Sequence, residues 1–275
     1  MKKCDCQLCK FENPKISTAA IIIKDQKLLV AVRGEEPFKG QYDFFGGYVG
    51  KGETPEESHK REIKEELGVD CETNLLTAIP GTSTYGDYEF QVVNFVYLTE
   101  LKGEIKLIEN EIEKFEWVPI KDLSKIAFET NQKALEFVKE KLIFDLSKIN
   151  ELVKQLDASA KVNEYSLYRA LLDGYVAKIE VDGKLQGMGW IFPRQTMLRR
   201  QAVVEDMIVD ESQRGKGLGE KILRNLLDWA KKEGVETVEL TTNPKRVAAN
   251  SLYQKVGFKI HPTNHYLLDL IEYGL

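Results

Sequence analysis

From Gly47 to Val69 the chain reads GYVGKGETPEESHKREIKEELGV, a glycine-rich run that passes into a charged segment starting near Thr54 and stopping at Gly68. A polar cap residue at the start and glycine at the end are the ordinary limits of a helix. On such a helix Glu62 and Glu66 stand one turn apart on a shared face, and Glu65 lies three positions from Glu62. Three carboxylates then converge, and uncompensated they repel. A hard divalent cation, Mg²⁺ or Mn²⁺, prefers oxygen ligands, bridges phosphates and removes the repulsion. The bland alternative is a solvated acidic helix, the usual fate of a charge run.

The fixed positions decide between them. Gly47, Glu53, Arg61, Glu62, Ile63, Glu65, Glu66, Gly68 and Val69 match Gly-x5-Glu-x7-Arg-Glu-Φ-x-Glu-Glu-x-Gly-Φ throughout, Φ being aliphatic. This resembles the Nudix box. The resemblance implies an α/β/α sandwich with a mixed sheet and a metal-dependent hydrolase of nucleoside diphosphates linked to another moiety. In that chemistry the cation draws charge from the phosphate oxygens and activates water. It further implies Glu62, Glu65 and Glu66 as metal ligands, with Glu65 and Glu66 also catalytic, Arg61 as the residue orienting a glutamate, and Glu53 as a further ligand or base. Later-loop candidates for the base are Glu109, Glu111 and Glu113. Phe45 stands where the family usually has proline, and Gly50 where glutamate is frequent.

Cys4, Cys6 and Cys9 crowd one hexapeptide, and Cys71 stands alone. That spacing is no disulfide framework. CDCQLCKFENP resembles the second half of the zinc ribbon that precedes the catalytic domain in the NADH-pyrophosphatase branch of the superfamily. A full ribbon takes four ligands in two knuckles, whereas three thiols are present here and no cysteine pair precedes them. Two readings stay open, a bound Zn²⁺ and reduced thiols.

A second constellation lies in VVEDMIVDESQRGKGLGEKILRNLL, where Arg214, Gly217 and Gly219 fit Arg/Gln-x-x-Gly-x-Gly/Ala between an expected strand and helix. Successive backbone N–H groups at a helix N-terminus form an anion site suited to a pyrophosphate. Together with NPKRVAANSLYQKVGF this segment resembles motifs A and B of the GNAT acetyltransferases, over nearly all of 143–275. The likeness implies a mixed central sheet flanked by helices, with acetyl-CoA as cofactor and an amine as acceptor. Met207, Ile208 and Val209 would pair with the pantetheine arm as an added strand does. Arg214, Gly215, Lys216, Gly217, Leu218 and Gly219 would hold the pyrophosphate, with Asn243 and Arg246 near the path of the cofactor. Tyr253 corresponds to the acid that protonates the leaving thiolate, and Glu205 is the candidate base for the amine. As core aromatics and a surface acid, Tyr253, Phe258 and Glu205 have bland readings too.

A bifunctional enzyme is the leading expectation. The alternative is an acetyltransferase regulated by a nucleotide-sensing, non-catalytic Nudix-like domain. Retention of every box carboxylate favours the first. The acceptor is not specified; RQTMLRRQ, with three arginines, reads as a hairpin tip.

The elements that must position these residues form two sets. STAAIII (17–23) and KLLVAVR (27–33) read as a strand hairpin. After the first helix come strands at 74–79, 89–98 and 114–120, then a helix over 131–142. From 143 the pattern restarts with helices at 146–156 and 166–172. A hairpin follows, YVAKIEV-DG-KLQGMGWIF, with its turn at Asp182-Gly183. Then come strand 202–210, helix 220–233, strand 237–243, helix 247–256 and a last strand, HYLLDL. An α+β domain over 1–142 followed by a second, α/β domain over 143–275 is therefore expected, in keeping with 275 residues.

With 43% hydrophobic and 30% charged residues, the composition is that of a globular protein and excludes disordered and collagen-like classes. The net charge of −5 argues against a nucleic-acid-coating role. It divides unevenly, with 20 basic against 26 acidic side chains in 1–142 and 19 against 18 in 143–275. The acidic excess belongs to the half expected to hold cations. No membrane-length apolar run or signal-like stretch is visible, so a cytoplasmic protein without membrane partners is expected. A nucleotide-type small molecule, acetyl-CoA and an amine are its expected partners, with room for a homodimer.

Overall fold

A computed structural model describes residues 13–85, 88–106, 112–142, 144–156 and 158–268. Cys4, Cys6 and Cys9 lie outside the described residues, as do Glu109 and Glu111; of Glu113 only its place in a strand is described. The chain divides into two compact units, Met1–Lys154 with Ser159–Asp173, and Gln155–Ala158 with Gly174–Leu275.

In the first unit, β1 (Lys15–Ile21), β6 (Tyr88–Leu101) and β5 (Cys71–Tyr85) form one sheet in the order β1-β6-β5. A second contains β2 (Ile23–Lys24), β3 (Lys27–Arg33) and β4 (Tyr42–Asp43), with β7 (Ile112–Pro119) paired to β3. The expected hairpin of the first two apolar runs is confined to its tip, Ile23–Lys24 against Lys27–Leu28. β1 itself pairs in parallel with β6, Lys15 facing Val92 and Ile21 facing Leu98. Alternation explains the layering, because successive strand side chains point to opposite faces. Ala20, Ile22, Leu29 and Ala31 pack with Ile63 and Leu67 of helix α1 (Pro55–Leu67). Ala19, Ile21, Leu28 and Val30 pack with Ala134, Leu135 and Val138 of helix α2 (Glu129–Lys141). A mixed sheet layer thus lies between helices, the expected α/β/α sandwich.

Helices α3 (Leu146–Val153) and α4 (Glu164–Asp173) belong by packing to this unit. Tyr168 of α4 is 1% exposed within the core of Ile21, Leu28 and Leu135. The Glu164 carboxylate accepts the backbone N–H groups of Asp25 and Gln26 at 2.8 and 3.2 Å. The compact seam therefore falls beyond 142, because α4 carries the residues that close the first unit's core.

The second unit is a sheet in the order β11-β10-β9-β8, built from β8 (Tyr175–Val181), β9 (Lys184–Gln195), β10 (Arg200–Val209) and β11 (Thr237–Leu240). Its β8, β9 and β10 run antiparallel and β11 is parallel to β10. Helices α5 (Leu218–Lys232) and α6 (Val247–Val256) contribute Ile222, Leu223, Leu226 and Leu252 to its core. The expected final strand HYLLDL is not formed over 265–268, where no regular structure is present, and its last two residues lie outside the described residues. Tyr266 and Leu267 are exposed there, and among the described residues no strand pairs with 265–268.

Candidate active sites

Helix α1 holds its glutamates in place from both ends. Thr54 and Glu57 form a reciprocal capping box, Pro55 occupies the first turn, and Gly68 closes the helix at φ +69°. Its buried side is anchored by Ile63 and Leu67, both 0% exposed, and the adjoining flank, with Glu62 and Glu66, meets the glycine loop. That loop lies along β1 through Ala20 N–H to Phe45 O, Thr18 N–H to Gly47 O, and Val49 N–H to Ile16 O, at 2.8, 2.8 and 2.9 Å. Gly46, at φ +132°, is the position that demands glycine, since a Cβ there would lie 2.3 Å from the Thr18 carbonyl oxygen; at Gly47 a Cβ would lie 2.5 Å from Glu62 Oε1 and would push that carboxylate aside.

Arg61 organises the acidic cluster. Its Nε and Nη2 donate to the two carboxylate oxygens of Glu53 at 3.1 and 2.9 Å. Its Nη1 lies 2.8 Å from Glu62 Oε1 and 2.7 Å from Glu65 Oε2. Gly50 N–H also donates to Glu53. The Arg61 hydrogen bonds, followed by that from Gly50, hold the Glu53 carboxyl down at about 2, which makes it a weak base and a firm anion. The hydrogen bonds that Arg61 donates to Glu53 in turn raise Arg61 above its ordinary range. Glu66 is 9% exposed and accepts Gly46 N–H at 2.9 Å.

Glu62 and Glu66 thus face the glycine pair, whereas Glu65 turns to Arg61. Among the described residues no three His, Cys, Asp or Glu side chains are gathered closely enough to hold a metal as they stand. The donor set nonetheless fits a hard cation, being carboxylate oxygens on one helix flank against a backbone with no side chain to fill the gap. Thr18 Oγ1, buried beside Gly46, has no hydrogen-bond partner.

Behind this loop lies a polar chain that sequence reasoning missed. Arg33 Nη1 donates to Asp43 Oδ2 at 2.9 Å, Asn131 Nδ2 to Asp43 Oδ1 at 2.6 Å, and Asn94 Nδ2 to Asn131 Oδ1 at 2.7 Å. Burial pushes Asp43 up to about 6 against the opposing pull of Arg33. Its members are single polar residues in unrelated segments, so no spacing signal joins them.

In the second unit, β10 is broken by a bulge. Glu205 faces Trp190 but Ile208 faces Met188, with Asp206 at φ +51°. β11 pairs with β10 only from Gln201 to Val204. Beyond Val204, one edge of β10 therefore has no strand beside it among the described residues. Met207, Ile208 and Val209 lie on this stretch, Ile208 and Val209 being paired to β9 on the other edge.

The loop that follows turns through Gly215 and Gly217, both at φ +79°, and Gly217 begins α5 with no side-chain cap. The first-turn N–H groups, including those of Leu218 and Gly219, consequently have no intrahelical acceptor and form a positive helix end. Arg214 bends back onto Val209 O at 3.2 Å, and Lys216 Nζ donates to Gln213 Oε1 at 2.9 Å.

Glu205 acts on Tyr253 electrostatically. Burial raises the Tyr253 hydroxyl, Arg246 lowers it and Glu205 raises it. Burial, then Asp206, raises Glu205, and His265 opposes. Asp206 and His265 were not singled out in the sequence. Asn243 builds the turn into α6, its Oδ1 accepting Lys245 N–H at 2.9 Å and its carbonyl accepting Arg246 N–H at 2.9 Å.

Comparison with known proteins assigns both halves. The NUDIX domain family matches residues 14–140 and the Acetyltransferase (GNAT) family matches 143–258. An ADP-ribose pyrophosphatase of Methanocaldococcus jannaschii is 32% identical over 119 residues, 43% of this chain and 70% of that protein. An uncharacterized N-acetyltransferase of Bacillus subtilis, YobR, is 40% identical over 63 residues, 23% of this chain and 26% of that one, so the chain spans about a quarter of this relative. A solved MutT NUDIX hydrolase from Burkholderia pseudomallei is 30% identical, covering 46% of this chain and 98% of its own, with a TM-score of 0.41. The chain belongs to the Nudix family through its N-terminal part, and its C-terminal part carries the match to the GNAT acetyltransferase family over 143–258. No helix among the described residues is long and apolar enough to cross a membrane.

Proposed function

We propose that this chain is a bifunctional enzyme, with a seam near 142 between the two family segments. The first part hydrolyses a nucleoside diphosphate linked to another moiety, with Mg²⁺ or Mn²⁺. The second transfers acetyl from acetyl-CoA to an amine. The observation that carries the hydrolase reading is the arrangement around Arg61, which fixes Glu53 with two hydrogen bonds while Glu62 sits against the bare backbone of Gly47.

Glu62, Glu65 and Glu66 would hold the cation, Glu65 and Glu62 exchanging their contacts with Arg61 for it. When bound, a divalent ion supplies charge withdrawal from the phosphate oxygens and a more acidic water. Glu53 stays ionised and keeps Arg61 in register. Gly46 N–H fixes one oxygen of Glu66 at 2.9 Å and so holds that carboxylate at the glycine loop. In the second part, the open edge at Met207–Val209 and the N–H groups after Gly217 suit an extended amide-bearing arm ending in a pyrophosphate. Glu205, raised by burial, is suited to take the amine proton, and Tyr253, also raised, to return one to the departing thiolate.

Hydrolysis is tested with ADP-ribose, NADH, dinucleoside polyphosphates and oxidised nucleotides in Mg²⁺ or Mn²⁺. Turnover of at least one is expected. Tight binding of one without turnover would instead support a nucleotide-sensing module.

A further inference from the structure

Three aromatic rings extend from the end of the glycine loop. Tyr48 follows Gly47, and its carbonyl accepts from Arg61 Nη2 at 3.4 Å and from Ser58 Oγ at 3.3 Å, so the helix bearing the glutamates fixes its position. The Tyr48 ring lies 6.2 Å from Phe90, centroid to centroid, and Phe90 lies 5.8 Å from Tyr88 with planes only 21° apart. Tyr88 and Phe90 are two residues apart on β6 and share a face.

These rings do little for the core. Neither apolar cluster of the first unit includes any of the three. Tyr48 is 48% exposed and Tyr88 68%. A contiguous aromatic row left facing water marks a binding surface more often than a packing accident. Its starting point, one residue from the glycine that receives Glu62, indicates which surface.

Resting on the reading of this unit as a nucleotide hydrolase, we propose that Tyr48, Phe90 and Tyr88 form a stacking platform for the nucleobase of the molecule whose diphosphate reaches the Glu62–Glu66 flank. Aromatic faces stack on any planar base and discriminate little among bases, because every base has a π-face whereas identity is written on its edges. The platform therefore demands a base and tolerates its exchange. A substrate in which guanine replaces adenine is accepted; one without a base is bound through its phosphates alone.

The test titrates ADP, GDP and inorganic pyrophosphate into the full chain with Mg²⁺, by calorimetry, for the wild type and for Tyr48→Ala, Phe90→Ala and Tyr48→Phe. ADP and GDP are expected to bind within about threefold of each other. Tyr48→Ala and Phe90→Ala should each weaken both by about tenfold, the size of one lost stacking contact, leave pyrophosphate unchanged and retain the wild-type circular dichroism. Tyr48→Phe should stay within about twofold of the wild type. Unchanged ADP affinity in both alanine variants overturns the platform, as does an equal loss for pyrophosphate, which would mean a disturbed loop. A dimer that dissociates in these variants, seen by light scattering, overturns it too and makes the patch a contact between copies. If the wild type binds neither ADP nor GDP, the platform fails. Hydrolysis of the substrate panel by that same protein would still uphold the hydrolase, and its absence would sink both.

Discussion

Arg61 grips Glu53 with a two-pronged fork, Nε to Oε2 at 3.1 Å and Nη2 to Oε1 at 2.9 Å, while its remaining nitrogen reaches Glu62 and Glu65. One cation thereby sets the ionisation of one carboxylate and the orientation of two more. Lysine offers a point charge with no fork. Arg61→Lys should lower kcat for hydrolysis by about 10–100-fold, the range typical of groups that orient metal ligands.

The same variant should alter the pH profile. Glu53, held at about 2 in the wild type, is ionised at every pH above that, so it contributes no acid limb between pH 4 and 6. Without the fork its carboxyl moves back toward the ordinary glutamate range, and an acid limb appears near pH 4–5. Rates measured from pH 4 to 8 decide it; superimposable profiles would show that Arg61 does not control Glu53.

Two sites that work separately must fail separately. Glu66→Gln keeps the acceptor for Gly46 N–H but removes the charge, and should reduce hydrolysis by at least about a hundredfold while acetyl transfer is unchanged. Tyr253→Phe removes the hydroxyl and should lower acetyl transfer by about a hundredfold, within the range of a lost general acid, with hydrolysis unchanged. A folded variant that loses both activities contradicts the two-site account.

His59 carries a pH effect on stability. It is fully buried on α1, its Nε2 lies 2.9 Å from Thr99 Oγ1, its Nδ1 has no partner, and its ring stacks on Tyr97 at 4.7 Å. Donation from Nε2 leaves Nδ1 as a lone pair, a smaller penalty than a buried N–H without an acceptor. Burial lowers its pKa from 6.5 to about 4. Between those values the unfolded chain binds more protons, so stability is fully present above pH 6.5 and drains away as pH falls toward 4, by about 3 kcal/mol in all. His59→Phe preserves the stack and removes the titration. Urea unfolding at pH 7.5 and 4.5 should show the wild type losing about 2–3 kcal/mol more than the variant; equal losses would mean His59 is not the titrating group.

Local signals were legible and long-range ones were not. Helix α1 was readable because Thr54, Pro55, Glu57 and Gly68 determine its ends without help from the rest of the chain. The turn at Asp182-Gly183 is similarly self-contained, and helix 247–256 formed as read. The parallel pairing of Lys15–Ile21 with Val92–Leu98 was not readable, since it joins runs more than seventy residues apart that have the same apolar alternation as the nearer strand. Nor was the bulge at Asp206, because strand alternation does not show where one residue slips out of register. The carboxylates of the box were legible as a set; that Arg61 would hold Glu62 and Glu65 on one nitrogen while Glu66 turned to Gly46 N–H depended on rotamers that spacing does not encode.

The attachment of α4 gives a prediction about where the chain divides. The family segments meet between 140 and 143, which makes 142 the natural place to cut. Yet Tyr168 is buried among Ile21, Leu28 and Leu135, with Leu171 and Leu172 packed against the same cluster. Its hydroxyl donates to Glu164 Oε1 at 2.7 Å and accepts from Gln26 Nε2 at 2.7 Å, and burial raises its pKa above the ordinary tyrosine range. Asn74 Nδ2 adds a bond to Tyr165 at 2.6 Å. A fragment ending at 142 exposes the apolar surface that Tyr168 covers and frees the N–H groups of Asp25 and Gln26. Loss of one large buried aromatic costs about 3–5 kcal/mol, a large share of a domain's total stability. Residues 1–173 should fold with a cooperative thermal transition, whereas 1–142 should melt at least about 10 °C lower or aggregate. Tyr168→Ala in the full chain should reproduce most of that loss. A 1–142 fragment melting within two or three degrees of 1–173 would show that α4 is no part of the first unit's core.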